Sequence, residues 1–159
     1  YYLTSKAKSI GYKPKIILSG RYLNDQMGIY IVSQLINKMI EKSIKVENAN
    51  ILVLGFAYKE NCHDHRNTRV IDIVHELKKH NCNIDVFDSL LDPQKVKFEY
   101  GIELIKNIKQ ANYDGIILAV AHEKIKQMGV SKIKSFGKKN HLLYDVKCLF
   151  PKNETDLRL

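Results

Sequence analysis

The sequence predicts an α/β fold: a Rossmann-like, open and mostly parallel sheet with flanking helices, preceded by a long connecting helix. Two patterns indicate this class. After Asn50, short apolar runs typical of buried strands alternate with segments that have helical spacing. Before that point, residues 20–43 carry one continuous helical pattern. We therefore expect a helical segment over residues 1–46 and a Rossmann-like domain over residues 47–159.

The connecting helix is predicted from its apolar stripe. Polar residues separate apolar ones that recur every three or four positions, namely Ile29, Val32, Leu35, Ile36, Met39 and Ile40. Only a short amphipathic stretch at residues 1–10 accompanies this stripe, so we expect its cover to be a second copy of the chain or an upstream domain. A polar break at residues 47–50 then separates the connector from the globular unit.

The elements of the sheet follow in order. The first strand is a continuous apolar run, as expected of a central strand that is covered on both faces. The four predicted strands lie at residues 51–56, 83–87, 113–120 and 142–146. A helix over residues 68–80, with Thr68 as its N-cap, connects the first two strands. Asp92-Pro93 begins a helical turn, and residues 101–109 form another short amphipathic piece.

Composition limits the classes of partner. The net charge is +9, from 26 Lys and Arg against 17 Asp and Glu. The lysines are mostly spread singly, without a block of five or the basic and aromatic interleaving of RNA-binding sheets. We therefore expect a solvated basic surface and no nucleic-acid partner. No apolar run approaches the roughly 18 residues that span a bilayer, so we expect no membrane partner.

The cysteines and histidines indicate neither a disulfide framework nor a metal site. Cys62, Cys82 and Cys148 are odd in number, far apart and form no C-x-x-C pair, which favours a reducing, cytoplasmic setting. None has an identifiable base partner, so a catalytic thiol is not expected. The run CHDH at residues 62–65 places neighbouring side chains on opposite sides, and no further pair completes four metal ligands.

The loop after the first strand is the main candidate for a functional site. At residues 55–68 it is long for a strand-to-helix connection and dense in polar and aromatic side chains. In an open parallel sheet, ligands bind beyond the carboxyl ends of the strands. Asp88, His122 and Lys147 follow the other three strands. We therefore expect these groups near one edge of the sheet.

The same loop indicates a phosphorylated ligand rather than a dinucleotide cofactor. A G-x-G-x-x-G turn is absent, because only Gly55 occupies one of its glycine positions. The loop instead offers the cations Lys59 and Arg66 beside the start of a helix, a combination that suits phosphate oxygens. An alternative stays open, in which Arg66 and Asp64 merely pair to hold a surface loop.

Residues 53–68, VLGFAYKENCHDHRNT, resemble the G-x-x-[FY]-K-x-x-T-x-D-x-R-x-S signature in the C-terminal, UDP-binding domain of the UDP-glucose/GDP-mannose dehydrogenase family. The version E-N-C-x-D-x-R-N-T looks like the branch that oxidises UDP-N-acetylhexosamines. Segments near both ends, at residues 1–7, 20–28, 144–147 and 157–159, are also similar to that branch. The resemblance thus covers nearly the whole chain.

The resemblance implies an oxidoreductase whose N-terminal domain binds NAD and whose central helix, here residues 20–43, forms a homodimer. It implies two hydride transfers that convert the C6 alcohol of a UDP-N-acetylhexosamine to a carboxylate, through cysteine thiohemiacetal and thioester, for surface polysaccharide synthesis. In the family, the catalytic cysteine lies just upstream of the stretch that matches Tyr1. We therefore expect the 159 residues alone to hold no catalytic residue and to reduce no NAD.

The resemblance also implies roles for single residues. Tyr58 is expected to pack against the uracil-ribose region, and Lys59 to contact the sugar ring or the diphosphate. Asp64 braces the loop together with Arg66, which reaches toward the cleft. Lys147 is expected to reach the nucleotide-sugar from the last strand. Arg21, with Asn24 and Asp25, lies near the cleft floor in a substrate or dimer role.

Three positions depart from the family pattern. Cys62 replaces the general Thr, which fits the N-acetylhexosamine branch, while His63 stands where Pro is expected and Cys148 where Gly is common. Two functions of other classes also stay open: a non-catalytic nucleic-acid-binding module that uses the +9 charge, and a structural dimerisation unit built on residues 20–43.

Overall fold

The computed structural model describes residues 2–159, so Tyr1, the first residue of the expected amphipathic stretch, lies outside the described residues. The helices are α1 (Tyr2–Ser9), α2 (Lys15–Glu41), α3 (Val70–Lys79), α4 (Pro93–Tyr100) and α5 (Glu123–Lys134). The strands are β1 (Asn50–Leu54), β2 (Asn83–Phe87), β3 (Tyr113–Leu118), β4 (Gly137–Asp145) and β5 (Leu157–Arg158). A 3₁₀ turn, Lys152–Glu154, precedes β5. Among these residues, no helix combines the length and apolar character that crossing a bilayer requires.

The five strands form one parallel sheet in the order β2-β1-β3-β4-β5. This confirms the predicted fold class. The chain moves from β1 to β2 on one side and then crosses to β3 on the other side of β1. At such a reversal, the connections that leave the two adjacent strands run to opposite faces of the sheet, and the crevice between them is where open sheets of this class bind ligands.

The central strand is buried on both faces, as its apolar run predicts. Ile51 and Val53 belong to a core that includes side chains of α2 and α3, whereas Leu52 and Leu54 belong to a second core that includes side chains of α5. Alternate residues of a strand point to opposite faces, so one strand supplies both cores. The two layers of helices fix the sheet between them.

The cover of the α2 stripe differs from the expectation. Val32, Leu35 and Met39 are fully buried, and they pack against this chain's own α3 and β4 rather than a second copy or an upstream domain. Ile29 and Ile40, expected in the stripe, are 42% and 64% exposed. The helical period is confirmed, but the buried stripe is rotated from the expected one, because α3 and the sheet together cover it.

Other boundaries depend on long-range contacts. Residues 101–109 form no helix: Gly101 ends α4 in the left-handed region at φ 67°, and Leu104 instead bridges to Val86 of β2. The helix expected from residue 68 begins at Val70, whose N–H donates to the Thr68 hydroxyl at 3.3 Å. β4 begins five residues earlier than residue 142.

The residue before the last strand, Asp156, is joined to β4 and to the end of α2. Asp156 N donates to Leu143 O of β4 at 2.9 Å, and the Asp156 carboxylate accepts from Leu143 N at 2.8 Å. The same carboxylate forms an ion pair with Lys42 at the end of α2. β5 is therefore fixed even though it has only two residues.

The first half of α2 crosses α3 at Gly28. A Cβ at this position would lie 2.6 Å from Asp72 Cβ, so the helices approach as closely as a glycine allows. Arg69 joins the same helices, because it pairs with Asp25 of α2 at 2.9 Å and with Asp72 of α3 at 3.0 Å. This crossing sets where the N-terminal half of α2 lies relative to the ends of the strands.

We expect Gly28→Ala to lower the free energy of unfolding by about 1–3 kcal/mol, because the added methyl group forces α2 and α3 apart. Gly20→Ala is the matched control in the same helix. Nothing lies within 4 Å of its added methyl group, so it should be neutral or stabilising by up to about 1 kcal/mol. Urea unfolding measures both, and equal effects would contradict the close crossing.

Candidate functional site

A cleft of about 560 Å³ lies at the carboxyl edge of the sheet. Its walls come from α2, the loop after β1, the start of α3, and the segments that follow β3 and β4. Its floor is apolar and includes Met27, Ile31, Val70, Val120 and Val146. This volume and this lining suit a small organic ligand with an apolar part.

Three of the expected site residues line the cleft together. Tyr58 and Lys59 enter it from the loop after β1, and Lys147 enters it from the end of β4. Tyr58 is 59% exposed, so a large part of its ring is available to a ligand. Two ammonium groups and an aromatic ring above an apolar floor can bind an anion that is joined to a flat or apolar group.

A tight turn brings the loop to this place. Gly55 has φ 89°, and a Cβ there would lie 2.5 Å from Val120 Cβ at the end of β3. Only glycine fits both the left-handed conformation and the close approach. The chain can therefore leave β1 directly beside β3 and enter the cleft at Ala57.

The start of α3 forms another wall. Thr68, Arg69 and Val70 line the cleft, and the Thr68 hydroxyl accepts from Val70 N. The first amides of a helix have no partner within the helix and carry a partial positive charge. This wall therefore adds to the positive potential of Lys59 and Lys147.

Arg66 and Asp64 form a bidentate ion pair, with Nε–Oδ1 at 3.0 Å and Nη2–Oδ2 at 2.8 Å. This pair holds the pKa of the Asp64 carboxyl well below its usual range. Asp64 O also accepts from Tyr58 N at 2.8 Å, and Asp64 Oδ1 accepts from Arg66 N at 2.9 Å. Neither residue is among those that line the cleft. This geometry favours the alternative in which the pair holds the loop.

Arg21 stands apart from the cluster of Tyr58, Lys59 and Lys147. It lies nearly one turn before Asn24 on α2, and Asn24 lines the cleft whereas Arg21 does not. Asp25 is engaged by Arg69 in the helix crossing. Of the three residues expected near the cleft floor, Asn24 is therefore the one at the cavity wall.

Asp88 and His122, which follow β2 and β3, form a buried pair behind the cleft. His122 Nε2 lies 3.0 Å from Asp88 Oδ2, and both side chains are almost fully buried. Burial alone would raise the pKa of the Asp88 carboxyl, but hydrogen bonds from His122, Phe56 N and Leu90 N outweigh it and lower the pKa from its usual value. Asp88 is therefore a buried carboxylate that its neighbours satisfy.

Sequence reasoning missed several residues of the cavity wall. Met27 and Ile31 of α2, Ala119 and Val120 after β3, and Leu159 all line the cleft. The hydrophobic period of α2 is the one available signal, since Ile31 lies four residues before Leu35, but the stripe inferred from the sequence does not include Ile31. Within residues 2–159, no three His, Cys, Asp or Glu side chains are grouped to hold a metal ion.

Comparison with known proteins gives consistent results. The family model "UDP-glucose/GDP-mannose dehydrogenase family, UDP binding domain" matches residues 52–152. UDP-N-acetyl-D-glucosamine 6-dehydrogenase of Salmonella typhi is 52% identical over 100% of this chain, and its Pseudomonas aeruginosa counterpart is 51% identical over the same span. The chain spans 37% and 38% of the length of these relatives.

A solved structure extends the similarity of fold. A UDP-glucose dehydrogenase from Pyrobaculum islandicum aligns with 98% of this chain at a TM-score of 0.78, with 19% sequence identity. The aligned part is 34% of that chain. At this level of identity the match supports the sheet order and the helix arrangement.

We expect Asp88→Asn to lower the free energy of unfolding by about 3 kcal/mol at neutral pH, because it removes a buried charge that its donors need. Since the pKa of Asp88 is lower in the folded than in the unfolded chain, its contribution to stability is fully present above the unfolded pKa and is lost as the pH falls through the folded pKa. The difference in the free energy of unfolding between the wild type and Asp88→Asn should therefore become smaller below about pH 4.

Denaturant unfolding across this pH range measures that difference. Glu47→Gln, at an exposed ion pair with Lys45, is the control and should change stability little at any pH. A difference between wild type and Asp88→Asn that stays constant down to about pH 3 would contradict the assignment.

Proposed function

The chain belongs to the UDP-glucose/GDP-mannose dehydrogenase family, and we propose that it forms the UDP-sugar-binding part of an NAD-dependent UDP-N-acetylhexosamine 6-dehydrogenase. The observation that carries this proposal is the convergence of Tyr58, Lys59 and Lys147 on one cleft beside the start of α3. A nucleoside diphosphate joins a flat, partly apolar base to a compact double anion. The cleft offers matching surfaces for both parts.

The residues divide this work by their chemistry. Lys59 and Lys147 neutralise the diphosphate, and the first amides of α3 add to the positive potential there. Tyr58 packs its ring against the uracil-ribose region above the apolar floor. Asp64 braces the loop by engaging Arg66, and Arg66 joins the substrate only if it leaves this pair. Arg21 acts from α2 outside the lining, at the approach to the cleft.

In the whole enzyme, this cleft positions a substrate whose reacting carbon lies elsewhere. Binding energy from the non-reacting UDP group can hold the sugar C6 alcohol in the right place for hydride transfer. NAD belongs to another part of the proposed protein, since residues 1–159 contain no G-x-G-x-x-G turn. The resemblance to the family places the cysteine that carries the thiohemiacetal and thioester upstream of these residues. The product is a uronic acid for surface polysaccharide synthesis, made in the cytoplasm.

We also propose that the chain forms a homodimer through the helix at residues 20–43, within the helical segment of residues 1–46. The second half of α2 is covered by its own sheet, but the first half is not. Ile16, Tyr22 and Leu23 are 89%, 68% and 66% exposed. A row of large apolar side chains in water favours association, and a second copy offers the same row.

Lys59→Ala and Lys147→Ala are each expected to weaken UDP binding about tenfold, because each removes a cation from the diphosphate. Lys78→Ala is the matched control: it removes the same charge from the last turn of α3, at the far end of that helix from the cleft. Its affinity for UDP should equal that of the wild type.

Titration calorimetry with UDP, UDP-N-acetylglucosamine and NAD measures these affinities. Binding of NAD without any UDP nucleotide would overturn the proposed function. Salt-dependent DNA binding that survives Lys59→Ala and Arg66→Ala would favour a nucleic-acid-binding module instead.

For the homodimer, Leu23→Glu is expected to convert a dimer to a monomer, because it places a charge in the apolar row. Phe98→Glu is the control, since Phe98 is 95% exposed on α4 and lies outside that row. Sedimentation velocity measures the mass. A monomeric wild type, or a dimer that both substitutions leave intact, would rule out this surface.

A further inference from the structure

Backbone N–H groups on both sides of residues 58–60, in the loop after β1, converge on the buried Asp88–His122 pair. Phe56 N and Ala57 N donate to Asp88 Oδ2 at 2.7 and 2.9 Å. Asn61 N donates to His122 Nδ1 at 3.0 Å. His122 Nε2 in turn donates to the same Asp88 oxygen at 3.0 Å. Two side chains thus hold the loop from behind.

These contacts define the protonation of the imidazole. Because Asn61 N–H is a donor, His122 Nδ1 must accept and carries no proton. Nε2 therefore carries the proton and donates to the Asp88 carboxylate. The His122 side chain is only 2% exposed, so water does not compete for either nitrogen. His122 is held as one neutral tautomer with both ring nitrogens committed.

The residues between the two attachments are those that enter the cleft. Tyr58, Lys59 and Glu60 line it, and we call this segment the arch, residues 58–60. One end of the arch follows Ala57, which Asp88 holds, and the other end meets Asn61, which His122 holds.

The far end of the arch has a second attachment. Asn61 has φ 53°, and its side-chain Oδ1 accepts from Glu123 N at the start of α5 at 2.8 Å. The residue thus uses its backbone N–H on His122 and its side chain on the helix. The two bonds can be removed separately.

We infer that His122 is a positioning residue for ligand binding: through Asn61 it sets where Tyr58 and Lys59 stand in the cleft, while its bond to Asp88 supports the buried pair. This inference rests on the proposed function, because the proposed function supplies the ligand that the arch contacts. His122 does not line the cleft, so it acts on the ligand only through the loop. Residue 122 supplies one acceptor to the loop, at Asn61 N, and one donor to Asp88, at two points of a rigid ring.

Two substitutions separate these needs. In His122→Asn, the amide oxygen can stand near the position of Nδ1 and accept from Asn61 N, but the donor to Asp88 is lost. In His122→Gln, the amide nitrogen can stand near the position of Nε2 and donate to Asp88, but the acceptor for Asn61 is lost. Comparison of the two variants therefore distinguishes positioning of the arch from general support of the core.

The experiment measures UDP affinity by calorimetry, amide hydrogen exchange at position 61 and thermal stability. For His122→Gln we expect about tenfold faster exchange at position 61 and about three- to tenfold weaker UDP binding, the effect of one lost hydrogen bond. For His122→Asn we expect UDP affinity within about twofold of wild type and a lower melting temperature. In the wild type, ¹⁵N shifts should report a protonated Nε2 and an unprotonated Nδ1.

Several results would overturn the inference. They are the opposite tautomer, wild-type UDP affinity with a protected amide in His122→Gln, and equal loss of affinity in both variants. If His122→Asn does not fold, Asn61→Gly replaces it, since it keeps the donor to His122 and the positive φ. The affinity of Asn61→Gly for UDP should stay within about twofold of the wild type, and a loss as large as that of His122→Gln would contradict the inference. A wild type that binds no UDP would contradict the proposed function. The amide exchange rates at position 61 would still test whether His122 holds the arch.

Discussion

The buried Asp88 carboxylate connects three strand ends that the cleft requires. Donors reach it from the loop after β1, from Leu90 in its own loop and from His122 after β3. A carboxylate removed from water is tolerated only while such donors surround it. Each of the three segments is thereby held to one point, because any displacement leaves a buried charge with too few partners. The ligand-facing residues stand on this fixed base.

Much of the fold could be predicted because its signals are local. β2 at Asn83–Phe87 follows from apolar residues that alternate with Asn83 and Asp85, and the start of α4 at Pro93 follows from the capping Asp92. The segment after Gly101 could not be predicted, since its pairing with β2 joins residues far apart in sequence. The cover of α2 failed for the same reason: a stripe records that it is buried, without recording which surface buries it.

The candidate site shows the same division. Tyr58, Lys59 and Lys147 were expected in one place because carboxyl ends of parallel strands share an edge, and that reasoning needs only the strand order. Met27 could not be assigned to the site, because its place depends on the crossing of α2 over α3 at Gly28. Arg66 illustrates a third case, in which a neighbour two residues away competes with the ligand for the same guanidinium.

The pinning of β5 has a practical consequence for anyone who extends this chain. Asp156 fixes the short strand to β4 and α2, and Leu159, two residues beyond its first position, lines the cleft. Any polypeptide that follows Leu159, native or added as a purification tag, therefore starts at the edge of the cleft. A tag placed there begins beside the proposed nucleotide site, so its length and charge can change the affinity that is measured.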